Sequence, residues 1–384
     1  MKAKRSIAIG IALTLVLFTA VGFAPTPQKP VWEAHPPIHI KGGATSTIPT
    51  GYNPAQIGNA YGLNQLSATG SGQTIAIVDA YGSPTIATDL QTFNQQFGLP
   101  TANLTIAYPG KKPRTNAGWA LETSLDVEWA HAIAPNANIL LVVAQSASIT
   151  DLVTAIDYAT SHGAQVVSNS WGGSEFSSES SYESHFQHSG IVYLASTGDN
   201  GSGVSWPSSS PNVLAVGGTT LNLDANNNYL SETGWSGSGG GVSAYMSIPS
   251  YETNWTSVVG SKRGVPDVAL DADPNTGVAV YDSTLYNGQS GWFQVGGTSF
   301  GAPAWAAMIA LANQGRATPL TSFNAISDLY NIAGATGSAG YTTNYHDITQ
   351  GSNGGYSTLP GYDLVTGIGS LKANSSIPAL TQAP

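Results

Sequence analysis

The sequence predicts an α/β fold, a three-layer arrangement with a central, mostly parallel sheet and helices on both faces. Three observations point there. Short apolar runs alternate with segments of helical spacing from residue 72 onward, the pattern of parallel strands joined by crossover helices. One run, "NILLVVA" at 138–144, is almost wholly apolar, as a strand covered on both faces should be. Asp79, Ser170 and Asp199 fall at or just past the ends of such runs, and α/β sheets bind their ligands at the carboxyl ends of their strands.

Taken in order, residues 1–24 read as an export signal. "MKAKR" supplies positive charge, and "SIAIGIALTLVLFTAVGFA" is an apolar run ending in small residues. An uncleaved membrane anchor is the alternative, because the run is long enough to span a bilayer. Residues 25–50 are rich in Pro, Gly, Ser and Thr and read as an extended linker or N-terminal arm. Residues 51–384 show no later linker and are expected to form one domain. Within it "GQTIAIVDA" (72–80) is a strand and 86–99 has helical spacing. A helix over 119–134 is stopped by Pro135. The strand 138–144 is followed by an amphipathic helix, 149–163, ending at Gly163. Strands follow at 164–172, 190–201 and 213–219. Residues 220–290 are Gly-, Ser- and Asn-rich with little periodicity and are expected to be loops. At 295–313, "VGGTSFGAPAWAAMIALAN" reads as a tight Gly turn and then a buried helix. Residues 321–384 hold short elements and a Gly/Asp-rich loop.

Composition narrows the function. Only 9% of the 384 residues are charged, against 41% apolar, and the formal net charge is −10. No basic cluster exists, so nucleic acid is not an expected partner. A surface made of Ser, Thr, Asn, Gln and Gly changes its charge little as pH falls, which suits an acidic setting. The chain has no cysteine, which rules out disulfides and Cys-ligated zinc. No second segment resembles a membrane span, so no stable membrane contact is expected once the leader is gone.

Ser299 sits where a chain presents a nucleophile, between a Gly turn and a helix N-terminus. Its hydroxyl then needs a base. None of the seven histidines (His35, His39, His131, His162, His185, His188 and His346) lies in a short turn of small residues. His35 and His39 are in the Pro-rich arm, and His131 is near the end of its helix. Glu122 and Asp126 are i and i+4 on one helix and share a face. Paired acids at an apolar border have coupled, split pKa values, which gives a base at pH values where imidazole is protonated. The bland alternative is a solvated acidic face with Glu128 as a third member. Asp199, in "ASTGDNG", follows a strand. Protonated, it could donate to a developing oxyanion. Otherwise it belongs to an Asp-Asn-Gly turn.

These residues together resemble the sedolisins, serine-carboxyl peptidases with the subtilisin fold in which glutamate replaces histidine. "GGTSFGAP" is similar to the nucleophile signature, "ETSLDVE" to the Glu-x-x-x-Asp helix, and "ASTGDNG" to the oxyanion segment. The resemblance implies Ser299 as nucleophile, Glu122 as general base and acid, Asp126 as its orienting partner, and Asp199 as oxyanion donor beside the Ser299 N–H. It also implies one structural Ca2+ held by Asp347, Asp363 and the carbonyls of Ile348, Leu359 and Gly361, in "YHDI" and "LPGYDLVTGIG". "VVSNSWGG" (166–173) and "GSGGGVSAY" (237–245) resemble the strands that sandwich substrate, with Ser170, Gly172, Gly239, Gly240 and Gly241 offering main-chain groups to an extended peptide. Trp171 is expected near the acid pair, and Asp79 is expected to hydrogen-bond into it. The resemblance covers roughly residues 51–375.

Sedolisins generally carry a large N-terminal pro-domain, whereas about 25 residues separate leader from catalytic pattern here. The implied protein is a secreted, monomeric, acid-active endopeptidase acting on polypeptides. At neutral pH its Asp199 is expected to ionise and weaken the oxyanion hole. Two alternatives stand beside this reading. One is a His-dependent subtilisin-type protease with Asp79 as orienter and His131 as base. The other is a catalytically silent secreted binding module on a peptidase scaffold.

Overall fold

The computed structural model describes residues 32–42 and 46–384. The predicted leader, 1–24, and the start of the predicted arm lie outside the described residues. The principal elements are β1 (Thr74–Ala80), α1 (Ile86–Phe97), β2 (Asn103–Ala107), α2 (Ala117–Ile133), β3 (Asn138–Ala144), α3 (Ile149–Ser161), β4 (Val166–Asn169), β5 (Val192–Ser196), β6 (Leu214–Leu223), β7 (Tyr229–Gly234), β8 (Val268–Asp271), β9 (Val278–Tyr286), β10 (Gln289–Gly296), α4 (Thr298–Gln314) and α5 (Ser322–Ala333). An eight-stranded sheet runs in the order β7-β6-β5-β4-β1-β3-β2, with β8 also paired to β6. Every pairing in it is parallel except β6 with β7. The fold is α/β and three-layered, with helices on both faces of a mostly parallel sheet, as the alternation predicts.

Strand pleating divides the apolar residues between two cores. Ile75, Ile77, Ile139 and Leu141 point to one face, where α2 and α4 lie. Ala76, Val78, Leu140 and Val142 point to the other, against Leu152, Ala155 and Ile156 of α3. Helix α4 is buried at every residue from Thr298 to Asn313, which suits a helix apolar on all sides. Its Pro303 has no N–H to offer the Ser299 carbonyl one turn back, and the Ser170 hydroxyl donates to that carbonyl instead, at 3.3 Å. Arg263 is wholly buried between Glu252 and Asp267. Asp267 also accepts from the Ala215 N–H at 2.8 Å, which ties the group to β6.

Two expectations need correction. Residues 220–290 are not mainly loops, since the end of β6 and all of β7, β8 and β9 fall there, with a further antiparallel pair, Gly241–Ser247 with Lys262–Val265. Their Thr, Ser and Asn content hides strands whose partners are distant in sequence. The arm is also no free linker. His39–Ile40 forms a strand antiparallel to β10, with His39 opposite Gly296. Ala34 N–H donates to Ala147 O at 2.9 Å, and His35 exchanges two backbone hydrogen bonds with Gly172. Residues 32–42 belong to the same compact unit as the rest of the described chain.

Candidate active site

The carboxyl ends of β1, β4 and β5 open toward one region, and two helices complete it. Asn116 caps α2 by accepting from the Gly118 and Trp119 N–H groups, and the helix presents Glu122 and Asp126 from one face. Both are fully buried, as are Asp79 at the end of β1 and Ser299 at the start of α4. Neither oxygen of Glu122, Asp126 or Asp79 has a formed hydrogen bond, and neither has Ser299 Oγ. Buried polar groups left unpaired are costly, and a cluster of four at one strand-end edge marks a site kept ready for a ligand or a reaction.

The electrostatics follow from burial. Burial pushes Asp79 up to about 7, and Thr123 pulls it back. Glu122 is raised well above the carboxylate range by burial first and the Asp79 charge second, while the Ser299 hydroxyl lowers it. Asp126 is raised likewise by burial, then Asp79 and Glu122, and is lowered by Ser170. Within the pair, Asp126 favours the ionised form of Glu122, and Glu122 favours the protonated form of Asp126.

Asp199 lies just past β5. Its Oδ1 accepts from the Thr298 N–H and the Thr298 hydroxyl, both at 2.8 Å, and the Gly198 N–H donates to that hydroxyl at 3.1 Å. Oδ2 has no hydrogen-bond partner. A carboxyl fixed as acceptor through one oxygen carries its proton on the other. Burial pushes the group up to about 8, so the expectation that it ionises at neutral pH moves to about that value. The Ser299 N–H belongs to the first turn of α4, where no helical acceptor exists.

Other expected residues fall as follows. Trp171 is buried, donates from Nε1 to the Val78 carbonyl next to Asp79 at 2.9 Å, and packs on Trp206 in the second core. Gly172 offers its main chain to the arm, as described. The backbones of the Gly239–Gly241 run are not free for a peptide in the expected way. Gly239 N–H donates to Gly198 O, Gly240 pairs with Gly203, and Gly241 pairs with Val265. These glycines hold the Asp199 loop, and Gly239 lines the cleft. The edge facing Gly172 is formed instead by Ala147 and Ser148, a turn after β3 that sequence reading missed; its position at a strand's carboxyl end was the available signal. His131 is buried with Nε2 at 2.9 Å from Pro100 O. It lies nine residues beyond Glu122, about 13 Å along the helix, and is not placed to serve Ser299.

The cleft encloses about 430 Å³ and is lined by arm residues, including Pro37 and His39, together with Gly172, Asp199 and Gly239. The arm crosses it. Pro37 O and Asp199 Oδ2 crowd one face of Gly297, where a Cβ would lie 2.1 Å and 2.6 Å from them. Gly297 also has φ +127°, and only glycine tolerates both conditions. His39 Nε2 is 3.4 Å from Asp199 Oδ2.

Asp347 and Asp363 converge on the loop 359–361. Asp347 Oδ1 accepts from the Gly361 N–H at 3.0 Å, and Asp363 Oδ2 accepts from the Leu359 N–H at 3.1 Å. Burial raises both carboxyls, Asp363 to about 6. The donor set is all oxygen, as a hard cation requires. Asp363 Oδ1, however, already accepts from the Val365 and Thr366 N–H groups. Ile348 is buried beside Asp347. Among the described residues no group of three or more His, Cys, Asp or Glu side chains converges as a metal site, so any cation here would depend on main-chain carbonyls.

Comparison with known proteins agrees with this geometry. The pattern of the subtilase family matches residues 101–336. Kumamolisin of Bacillus sp. (strain MN-32) is 32% identical over 365 residues, covering 85% of this chain and 63% of that protein. Sedolisin of Pseudomonas sp. (strain 101) is 28% identical, covering 89% of this chain and 64% of that protein. The chain thus spans a little under two thirds of these two relatives. The solved structure of Pseudomonas sedolisin, a serine-carboxyl proteinase complexed with two molecules of pseudo-iodotyrostatin, superposes with a TM-score of 0.71 at 28% identity, covering 88% of this chain and 98% of that one.

Proposed function

Because the chain belongs to the sedolisin family of subtilisin-like serine peptidases, we propose that it is a secreted, acid-active serine-carboxyl endopeptidase. The observation that carries the reading is the buried meeting of Glu122, Asp126 and Ser299. In this reading Ser299 Oγ attacks the scissile carbonyl carbon while its proton passes to Glu122. Asp126, one turn along α2, orients Glu122, and burial raises the proton affinity of both. Negative charge grows on the carbonyl oxygen and is met by the Asp199 Oδ2 proton and the Ser299 N–H. Glu122 then protonates the leaving amine, which departs and leaves an acyl-enzyme. Water, deprotonated by Glu122, attacks the ester and releases the acid and Ser299.

Internal bonds are the proposed target, because the cleft accepts chain on both sides of Pro37, at 33–35 and at 39–40. Asp347, Asp363 and the carbonyls of Ile348, Leu359 and Gly361 would hold a structural Ca2+, which would tether the C-terminal loop. An acidic extracellular setting fits a base that works where imidazole is protonated, and a scarcely charged surface.

The test is cleavage of a denatured protein substrate from pH 2 to pH 8 by the wild type and Glu122→Ala. Acid-side activity lost in the variant is the expected result. Activity that survives the substitution sinks the carboxylate base.

A further inference from the structure

Trp32 sits in a site of its own beside the cleft. Its ring centroid lies 5.4 Å from that of Trp206 at 79°, and 6.1 Å from that of Phe176 at 64°. Both are edge-to-face geometries of the kind aromatic pairs prefer. Nε1 donates to Ser174 O at 2.9 Å. The wall beneath the indole is Gly173, where a Cβ would stand 2.7 Å from Cε2 and Cζ2; a side chain there would expel the ring. Aromatic walls, a carbonyl aimed at the indole N–H and a glycine floor make a cradle shaped for an indole.

The cradle is in register with the cleft. From Trp32 the arm runs through the Ala34–Ala147 bond and the His35–Gly172 pair to Pro37, whose carbonyl oxygen crowds Gly297 beside Asp199. It leaves through His39 and Ile40 along β10. Pro37 is the fifth residue after Trp32, about 17 Å along extended chain. At Pro37 the path turns, since the Ile38 N–H donates to Pro36 O at 3.1 Å, the bond of a three-residue turn. The segment is held like a peptide in an edge-strand groove, in the manner of strand addition, but bent at the carbonyl that faces Asp199.

We propose that Gly173, Ser174, Phe176 and Trp206 form a distal subsite for an indole side chain five residues before the residue whose carbonyl faces Asp199, and that the chain's own Trp32 arm is its resident, competing occupant. This rests on the reading of the cleft as a peptide-binding groove and adds a substrate preference to it.

The test uses the full chain with Ser299→Ala, so that bound peptide is not cut, and a fluorescently labelled peptide, WEAHPPIHIKG, corresponding to residues 32–42. Affinity is read by anisotropy. Adding Trp32→Ala should tighten binding at least about tenfold, because a tethered competitor at an effective concentration of about millimolar has lost its anchor. In that background a peptide with Ala in place of its Trp should bind at least about tenfold more weakly. Phe176→Ala should abolish the difference between the two peptides. Equal binding of both peptides by the Trp32→Ala chain overturns the proposal, as does binding of neither by a chain whose circular dichroism and melting are native. If Trp32→Ala does not fold, the Phe176→Ala chain decides: retained preference for the Trp peptide refutes the cradle. The peptidase reading is checked apart, with Ser299 intact. Trp-selective binding without hydrolysis would sink that reading and keep the subsite, whereas hydrolysis indifferent to Trp would do the reverse.

Discussion

Asp79→Asn removes a carboxyl and leaves its shape. Asp79 is fully buried, and its proton affinity rises from 3.8 to about 7, chiefly through burial. A group whose folded pKa is raised binds more protons folded than unfolded, so stability falls with rising pH. The contribution is intact below about 3.8 and is lost as pH rises through about 7. The gap is roughly three units, about 4 kcal/mol at 1.36 kcal/mol per unit. The Asn variant does not titrate. At pH 3.5 its urea midpoint should match the wild type, and at pH 8 it should be the more stable by up to about 4 kcal/mol. Below about pH 7 Asp79 is protonated and uncharged, so the acid limb of the pH–rate profile should be little changed in the variant. A stability difference of the same size at pH 3.5 and pH 8 would refute the reasoning, because a purely structural effect of the amide carries no such pH dependence.

Further expectations concern other groups. Asp199→Asn keeps an acceptor for Thr298 and gains a permanent N–H donor, so peptidase activity should persist and the fall near pH 8 should disappear from its profile; an unchanged alkaline limb counts against Asp199 as the donor. Arg263→Met leaves Glu252 and Asp267 buried without their cation and should destabilise the fold by about 3–5 kcal/mol in urea at neutral pH. The loss should shrink at pH 4, since Glu252, whose pKa burial pushes up to about 7, is then protonated. A calcium chelator should lower the melting temperature of the wild type but not of Asp363→Asn, and equal shifts would remove Asp363 from the proposed cation site.

The sheet was legible because its central strands are apolar along their whole length, as in "NILLVVA", and its helices carry stops such as Pro135. Ser299, Glu122, Asp126 and Asp199 were legible for a related reason: each sits at a strand end or on one helix face, where local spacing dictates placement. Strands β7 and β9 escaped because residues such as Thr233, Ser283 and Thr284 hide the period-two pattern, and pairing with distant partners makes them strands. The arm escaped for a sharper reason. Its prolines read locally as a linker, and nothing in eleven residues announces pairing with Gly172 and Gly296, more than a hundred positions away.

The buried acids change how the whole molecule migrates in an electric field. Asp79, Asp199 and Asp282 hold their protons up to about 7, 8 and 7, and Glu122, Asp126, Glu128 and Asp271 are raised well above the usual range. The composition gives an isoelectric point of about 4.9 only when every carboxyl titrates normally. On a focusing gel the folded protein should therefore band at a distinctly higher pH than the same chain in urea, and unfolding should release protons into an unbuffered neutral solution.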